Sequence, residues 1–193
     1  LGNSLLMKTD KSSALNFLIY IQNIFLNQNP NEDELRFPYF SKRIAFKKDF
    51  ELKYEELWNE VSQKVFDDNV NDVRIFYEEK DLFYQSLFEI DACSFKEFSE
   101  IHKTFQVWWN SFAGSFSLER SVDEVGQKLY VDLTNSLSQR KIEPCSELHI
   151  SLLYDECLLA NPEVTSNFAI LPVKEFFIKY KDLVRKLQNK LEH

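Results

Sequence analysis

Few residues in this chain could carry chemistry. Of three histidines, His193 belongs to Leu191-Glu192-His193, which reads as an expression-tag remnant and is set aside. That leaves His102 and His149, with the three cysteines Cys93, Cys145 and Cys157. Cys145 and His149 stand four apart. On a helix they share a face, where a thiolate and an imidazole could serve as nucleophile and base or hold part of a metal site. A structural zinc site needs four ligands, and no CxxC or HExxH spacing completes the set. No metal and no cofactor are therefore expected. Glu147 would join His149 only on a strand, where residues two apart share a face. His102 follows Phe98 by four and precedes Phe105 by three, on an apolar face. A desolvated general base is one reading, and a core-edge histidine with one satisfied hydrogen bond is the expected one.

A second constellation is Arg36 to Lys48. Arg36, Lys42, Arg43, Lys47 and Lys48 alternate with Phe37, Tyr39, Phe40 and Phe46, and no acid intervenes. Cations among stacking rings suit single-stranded nucleic acid, and Arg and aromatic residues also mark protein interfaces. Acids on both sides (Glu32-Asp33-Glu34, Asp49, Glu51) and a net charge of −8 weigh against nucleic acid. A protein partner is expected at Arg36, Phe37, Tyr39, Phe40, Lys42, Arg43, Lys47 and Lys48.

Composition narrows the classes. Eighteen phenylalanines stand against three glycines, Gly2, Gly114 and Gly126. Without glycine loops, no phosphate cradle, dinucleotide fingerprint or nucleophile elbow can be written. Glycine-built two-residue hairpins are missing as well. An odd cysteine count without close pairing points to a reducing compartment. Ala14 to Leu26 is the most apolar stretch, but Asn16, Gln22 and Asn23 interrupt it and it is too short to span a bilayer. It reads as a buried helix of a soluble, acidic, cytoplasmic protein with no membrane contact. The sequence sets no oligomeric state.

The elements that must position these residues follow from periodicity. A helix from Ser12 or Ser13 to Gln28 is apolar on nearly all sides and belongs at the centre of a bundle. Residues 31 to 48 are irregular, with a possible short strand over Ile44 to Lys47. Phe50 to Phe66 forms a helix with Asp49 as N-cap. Residues 73–90 read as helix in preference to two strands. Ser94-Phe95-Lys96-Glu97 is a capping box opening a helix through Trp108, Trp109 and Phe112, and Ala113-Gly114-Ser115 stops it. Ser121-Val122-Asp123-Glu124 is a second box, with Leu129, Leu133 and Leu137 behind it. Gly126 lies on that buried stripe, which implies a close crossing or a bend. Pro144-Cys145-Ser146 starts a shorter helix through Leu148, Leu152 and Cys157, with a strand over Leu148, Ile150 and Leu152 as the alternative. Pro172 fits the first position of a last helix carrying Val173, Phe176, Tyr180, Leu183 and Leu187.

The expected fold is mainly α: one domain over residues 1–190, a bundle of about six or seven helices with at most a short β element, α+β being the alternative. The expected function is a non-enzymatic interaction or regulatory protein that binds another protein. The rivals are an enzyme using Cys145, His149 or His102, and a sensor of a small apolar ligand.

Overall fold

The computed structural model describes residues 5–28, 35–68, 70–140, 147–162, 165 and 167–191. The chain is mainly α with a small parallel sheet of three strands. It forms two compact units. The helical unit comprises Ser12–Ser111 and Cys157–Asn161. The sheet unit comprises Leu1–Lys11, Phe112–Glu156 and Pro162–His193.

In the helical unit, α1 (Ser13–Leu26) is the hub. It packs on α2 (Phe50–Asp67), α3 (Val70–Tyr77) and α5 (Ala92–Trp109). Phe17 of α1 lies within 5.1–6.2 Å, centroid to centroid, of Phe76, Phe83, Phe98, His102 and Phe105. Asn16, Gln22 and Asn23 of α1 are fully buried too, and each serves nearby backbone. Asn16 Nδ2 donates to the Ser12 carbonyl at 2.8 Å. Gln22 Oε1 accepts from the N–H groups of Leu158 and Leu159 at 2.7 and 3.1 Å. Ser12 caps the helix, accepting from Leu15 N–H at 3.0 Å. Asp72 of α3 adds a carboxylate there, accepting from Ser13 N–H at 2.9 Å, Ala14 N–H at 2.8 Å and the Ser12 hydroxyl at 2.5 Å. A negative charge on two orphan N–H groups and the capping hydroxyl suits the positive end of the helix.

Residues 73–90 are helical, in two pieces. α3 ends at Tyr77 and α4 runs Asp81–Leu87, and Glu78 and Glu79 both donate their N–H to the Arg74 carbonyl across the break. The strand considered over Ile44 to Lys47 is a single antiparallel bridge, Phe46 to Phe88. Asp49 occupies the N-cap position of α2, but its side chain makes no capping bond. The capping box of α5 lies three residues earlier than expected. Asp91 is the N-cap, accepting from Cys93 and Ser94 N–H at 2.7 and 2.9 Å, and Ser94 Oγ accepts from Asp91 N–H at 3.2 Å. Ser94 therefore fills the third helical position, and Glu97 is released for a different task. The helix ends at Trp109, short of Phe112.

In the sheet unit, a π-type turn over Phe112–Phe116 is broken at Gly114 (φ −94°, ψ −122°). It leads into α6 (Ser117–Ser121) and α7 (Asp123–Arg140). The second capping box does not form. Ser121 is the last residue of α6, its hydroxyl donating to the Leu118 carbonyl at 2.7 Å, and α7 begins at Asp123, so Val122 and not Ser121 precedes that helix. Of the two readings of Gly126, the close crossing fails: a Cβ there would meet nothing within 4 Å.

The largest correction is the sheet. β1 (Leu6–Asp10), β2 (Glu147–Leu153) and β3 (Phe168–Pro172) pair in parallel in that order. Residues 147–153 are a strand, not the helix expected there. Their period-two pattern buries Leu148, Ile150 and Leu152 fully, and pairing on both edges overrides the helical spacing. Parallel strands are joined by long crossovers, so the lack of glycine hairpins excludes nothing here. Pro172 ends β3 and is the N-cap of α8 (Val173–Ile178) instead of the first residue of a long helix. That helix breaks at Lys179 (φ −116°, ψ 28°), and α9 runs Tyr180–Leu191. No helix among the described residues is long and apolar enough to cross a membrane.

Candidate functional site

The two histidines have opposite surroundings. His102 on α5 is buried between Phe17 and Phe76, with ring centroids at 5.2 and 4.7 Å. Its Nε2 lies 3.1 Å from the Phe76 carbonyl, which can only accept, so Nε2 carries a proton. Burial lowers its pKa below 6.5 against that hydrogen bond, with a lesser push from Lys80. His149 on β2 meets Asp10 of β1, Nε2 to Oδ2 at 2.5 Å. That hydrogen bond raises its pKa above 6.5 against a desolvation cost, and Glu147 adds to the rise. Glu147 is thus electrostatically close to His149 on the strand, and it pairs with Lys8 at 2.6 Å.

Neither imidazole is hydrogen-bonded to a cysteine, serine or threonine among the described residues. Cys145 lies outside them. Burial pushes the Cys157 thiol up to about 11, so it is protonated at neutral pH and a poor nucleophile. Among the described residues no three His, Cys, Asp or Glu side chains group as a metal site.

The Arg36–Lys48 segment is built from beneath by amides of α1 and its C-terminal end. Asn23 Nδ2 donates to the Phe37 carbonyl at 2.8 Å. Asn27 Nδ2 donates to the carbonyls of Arg36 and Pro38 at 2.7 and 2.8 Å, and its Oδ1 accepts from Arg36 N–H at 2.9 Å. The Gln28 amide pairs with Ile44 as a strand would, accepting from its N–H at 3.0 Å and donating to its carbonyl at 3.2 Å. A loop so clasped presents its side chains with little freedom left to lose on binding.

Those side chains divide in two. Phe40 and Phe46 are partly covered, and Phe46 packs on Phe25, Phe50 and Phe88. Phe37 and Tyr39 are 50% and 61% exposed. Phe37 leans on Trp108 at 4.8 Å, extending its surface onto α5, where Trp109 is buried and Trp108 is not. The cations divide likewise. Lys42 Nζ meets the buried Glu97 carboxylate at 2.9 Å, which raises its pKa. Lys47 Nζ donates to the Gln85 carbonyl. Arg43 and Lys48 are exposed and have no ion-pair or hydrogen-bond partner among the described residues.

Two clefts flank Arg43. One, of about 420 Å³, is bounded by Tyr39, Phe40 and Lys42. The other, of about 370 Å³, is bounded by Phe25, Phe46 and Lys48. Arg43 and Gln28 line both.

The sequence reading missed Asn23, Asn27 and Gln28. The signal was available: buried amides require partners, and the adjoining irregular segment has the unpaired backbone to supply them. No family model, curated protein or solved structure matches the chain.

Proposed function

We propose that the chain is a non-enzymatic interaction protein that presents residues 36–48 to a protein partner. The observation that carries this is the pairing of two exposed rings, Phe37 and Tyr39, with two unpartnered cations, Arg43 and Lys48, on a loop pinned by three amides. Side chains of these types supply interface hot spots when they are pre-positioned. Lys42 is a poor site for charge reversal, because an acid there would face the buried Glu97 carboxylate. Reversal at Arg43 and Lys48 leaves the fold alone. The test is a quantitative pull-down from source-cell extract with Arg43→Glu/Lys48→Glu against the parent chain. The expected result is loss of a partner at unchanged melting temperature, and retention of every partner refutes the reading.

A second reading, a small-ligand sensor, is favoured by one observation. A groove of about 470 Å³ in the sheet unit lies between β1 and α7, lined by Met7, Thr9, Val122, Gly126, Gln127 and Tyr130 among others. The empty space above Gly126 forms part of its floor. Native mass spectrometry tests it: a co-purified ligand displaced by Gly126→Leu supports the sensor, and bare protein mass opposes it.

A further inference from the structure

Resting on the reading of residues 36–48 as a partner surface, we infer that its partner is an acidic linear peptide segment, with a carboxylate on Arg43 and apolar side chains in the two clefts beside it.

The argument begins with charge. Of the segment's five cations, Lys42 and Lys47 are engaged by Glu97 and by the Gln85 carbonyl, and Asn27 clasps Arg36 by its backbone. Arg43 and Lys48 are left to attract something outside the unit. Arg43 lines both clefts and is exposed, so its side chain is available to a ligand that occupies them. A planar fork of five donors matches a carboxylate in bidentate fashion, which a lysine cannot do.

Shape supplies the rest. Each cleft is at the small end of the roughly 300–1,000 Å³ range of ligand sites, and their mixed walls include the rings of Tyr39 and Phe40 on one side and of Phe25 and Phe46 on the other, beside Asn27, Ser41, Lys42 and Lys47. The ring faces accept apolar side chains, and the polar edges beside them suit a flanking peptide backbone. The Gln28 amide beneath has both its groups turned to Ile44, so it contributes no polar reading of a ligand. A chain with an acid at its centre and apolar residues on either side satisfies both features. Lys48 on the second cleft asks for a further acid on that side.

Single-stranded nucleic acid is the other polyanion to weigh. It needs successive open ring faces on which bases stack. Here Phe40 packs on Tyr20 and Phe46 on Phe25, Phe50 and Phe88, so Phe37 and Tyr39 are the exposed rings of the segment, too few for a run of stacked bases. Two unpartnered cations also give little phosphate neutralisation, and the net charge of −8 opposes a long polyanion.

The experiment is fluorescence anisotropy on the full chain with three labelled probes: a dodecapeptide with a central Glu, a Phe two positions to each side and flanking Asp residues; the same peptide with every acid replaced by its amide; and a twelve-nucleotide oligo-dT. The acidic peptide is expected to bind, the amide peptide at least about tenfold more weakly, and oligo-dT more weakly than either, since a charge-assisted hydrogen bond contributes roughly that factor. Arg43→Glu/Lys48→Glu is expected to lose the preference for the acidic peptide, and Tyr39→Ala to weaken both peptides alike. Equal binding of the two peptides, no binding of the acidic one, or tighter binding of oligo-dT overturns the inference. If the pull-down partner depends on Arg43 and Lys48 while the acidic peptide fails, the partner chemistry falls and the surface stands. If neither responds, both fall.

Discussion

The two units are held together by different physics, and two similar tetrapeptides show it. In the sequence echo Ser99-Glu100-Ile101-His102 and Ser146-Glu147-Leu148-His149, the first lies on a helix of the helical unit, and Glu147, Leu148 and His149 of the second lie on a strand of the sheet unit. The first histidine is caged by phenylalanines and kept neutral. The second is tied to a carboxylate across the sheet and drawn towards the charged form. The helical unit is built around buried rings and amides that satisfy backbone, with the Asp72 carboxylate at the start of α1 and the Lys42–Glu97 pair at its edge. In the sheet unit, β1 and the residue after it are held by charged ties: Lys8 to Glu147, Asp10 to His149 and Lys11 to Glu119. The difference teaches that the candidate contact surface stands on the unit whose core histidine resists charging, while the sheet unit's histidine favours it.

The strongest way to break this contrast is to remove a ring. Phe17→Ala is expected to cost about 3–5 kcal/mol in urea unfolding, as large-to-small changes in packed cores do. Phe112→Ala, at an 81% exposed ring of the sheet unit, is expected to stay within about 0.5 kcal/mol. Similar costs for both would show that the aromatic hub is not what stabilises the helical unit.

Next in size is the loop clamp. Asn27→Ala removes three hydrogen bonds and leaves Arg36 and Pro38 backbone groups to find water, a cost of about 1–3 kcal/mol. Hydrogen exchange at the Arg36 amide is expected to quicken selectively, and unchanged protection would mean the clamp is not what orders the segment.

The histidines give a smaller effect with opposite signs. His149 has a folded-state pKa above 6.5, so its stabilisation is complete below that value and fades as pH rises through the folded pKa. His102 has a folded-state pKa below 6.5, so its stabilisation is complete above that value and is lost as pH falls through the folded pKa. Unfolding free energy measured from pH 5 to 9 is expected to lose its alkaline slope in His149→Gln and its acid slope in His102→Gln. Matching slopes in the two variants would refute the contrast.

Smallest is Gly126→Ala, expected to add about 1 kcal/mol, because alanine is the better helix former and its methyl meets empty space. A loss of stability would mean that the helix bends there or that the groove is filled.

Much of the helical unit was legible from spacing alone. The apolar circumference of α1 announced its buried place, and the stripe from Phe50 to Phe66 gave α2 nearly to the residue. The sheet was not legible, since Leu6–Asp10, Glu147–Leu153 and Phe168–Pro172 are far apart in the chain and only their pairing makes them strands. Leu148, Ile150 and Leu152 fit both periods, and long-range partners decided between them. Ser94 misled for a local reason: Asp91, three residues earlier, supplies the cap and turns Ser94 into its reciprocal partner. The candidate surface was visible as a run of cations and rings. Which of these stayed unpartnered depended on Glu97 and Gln85, which no spacing connects to Lys42 and Lys47.

The central claim, that residues 36–48 meet a protein, is tested most directly by site-specific photo-crosslinking in source cells. A photoreactive phenylalanine analogue replaces Tyr39, at 61% exposure, or Ile178, at 68% exposure in the sheet unit. The account predicts one discrete adduct from position 39, absent from position 178 and abolished by Arg43→Glu/Lys48→Glu. The same adducts from both positions, or an adduct at 39 that survives the charge reversal, would contradict it.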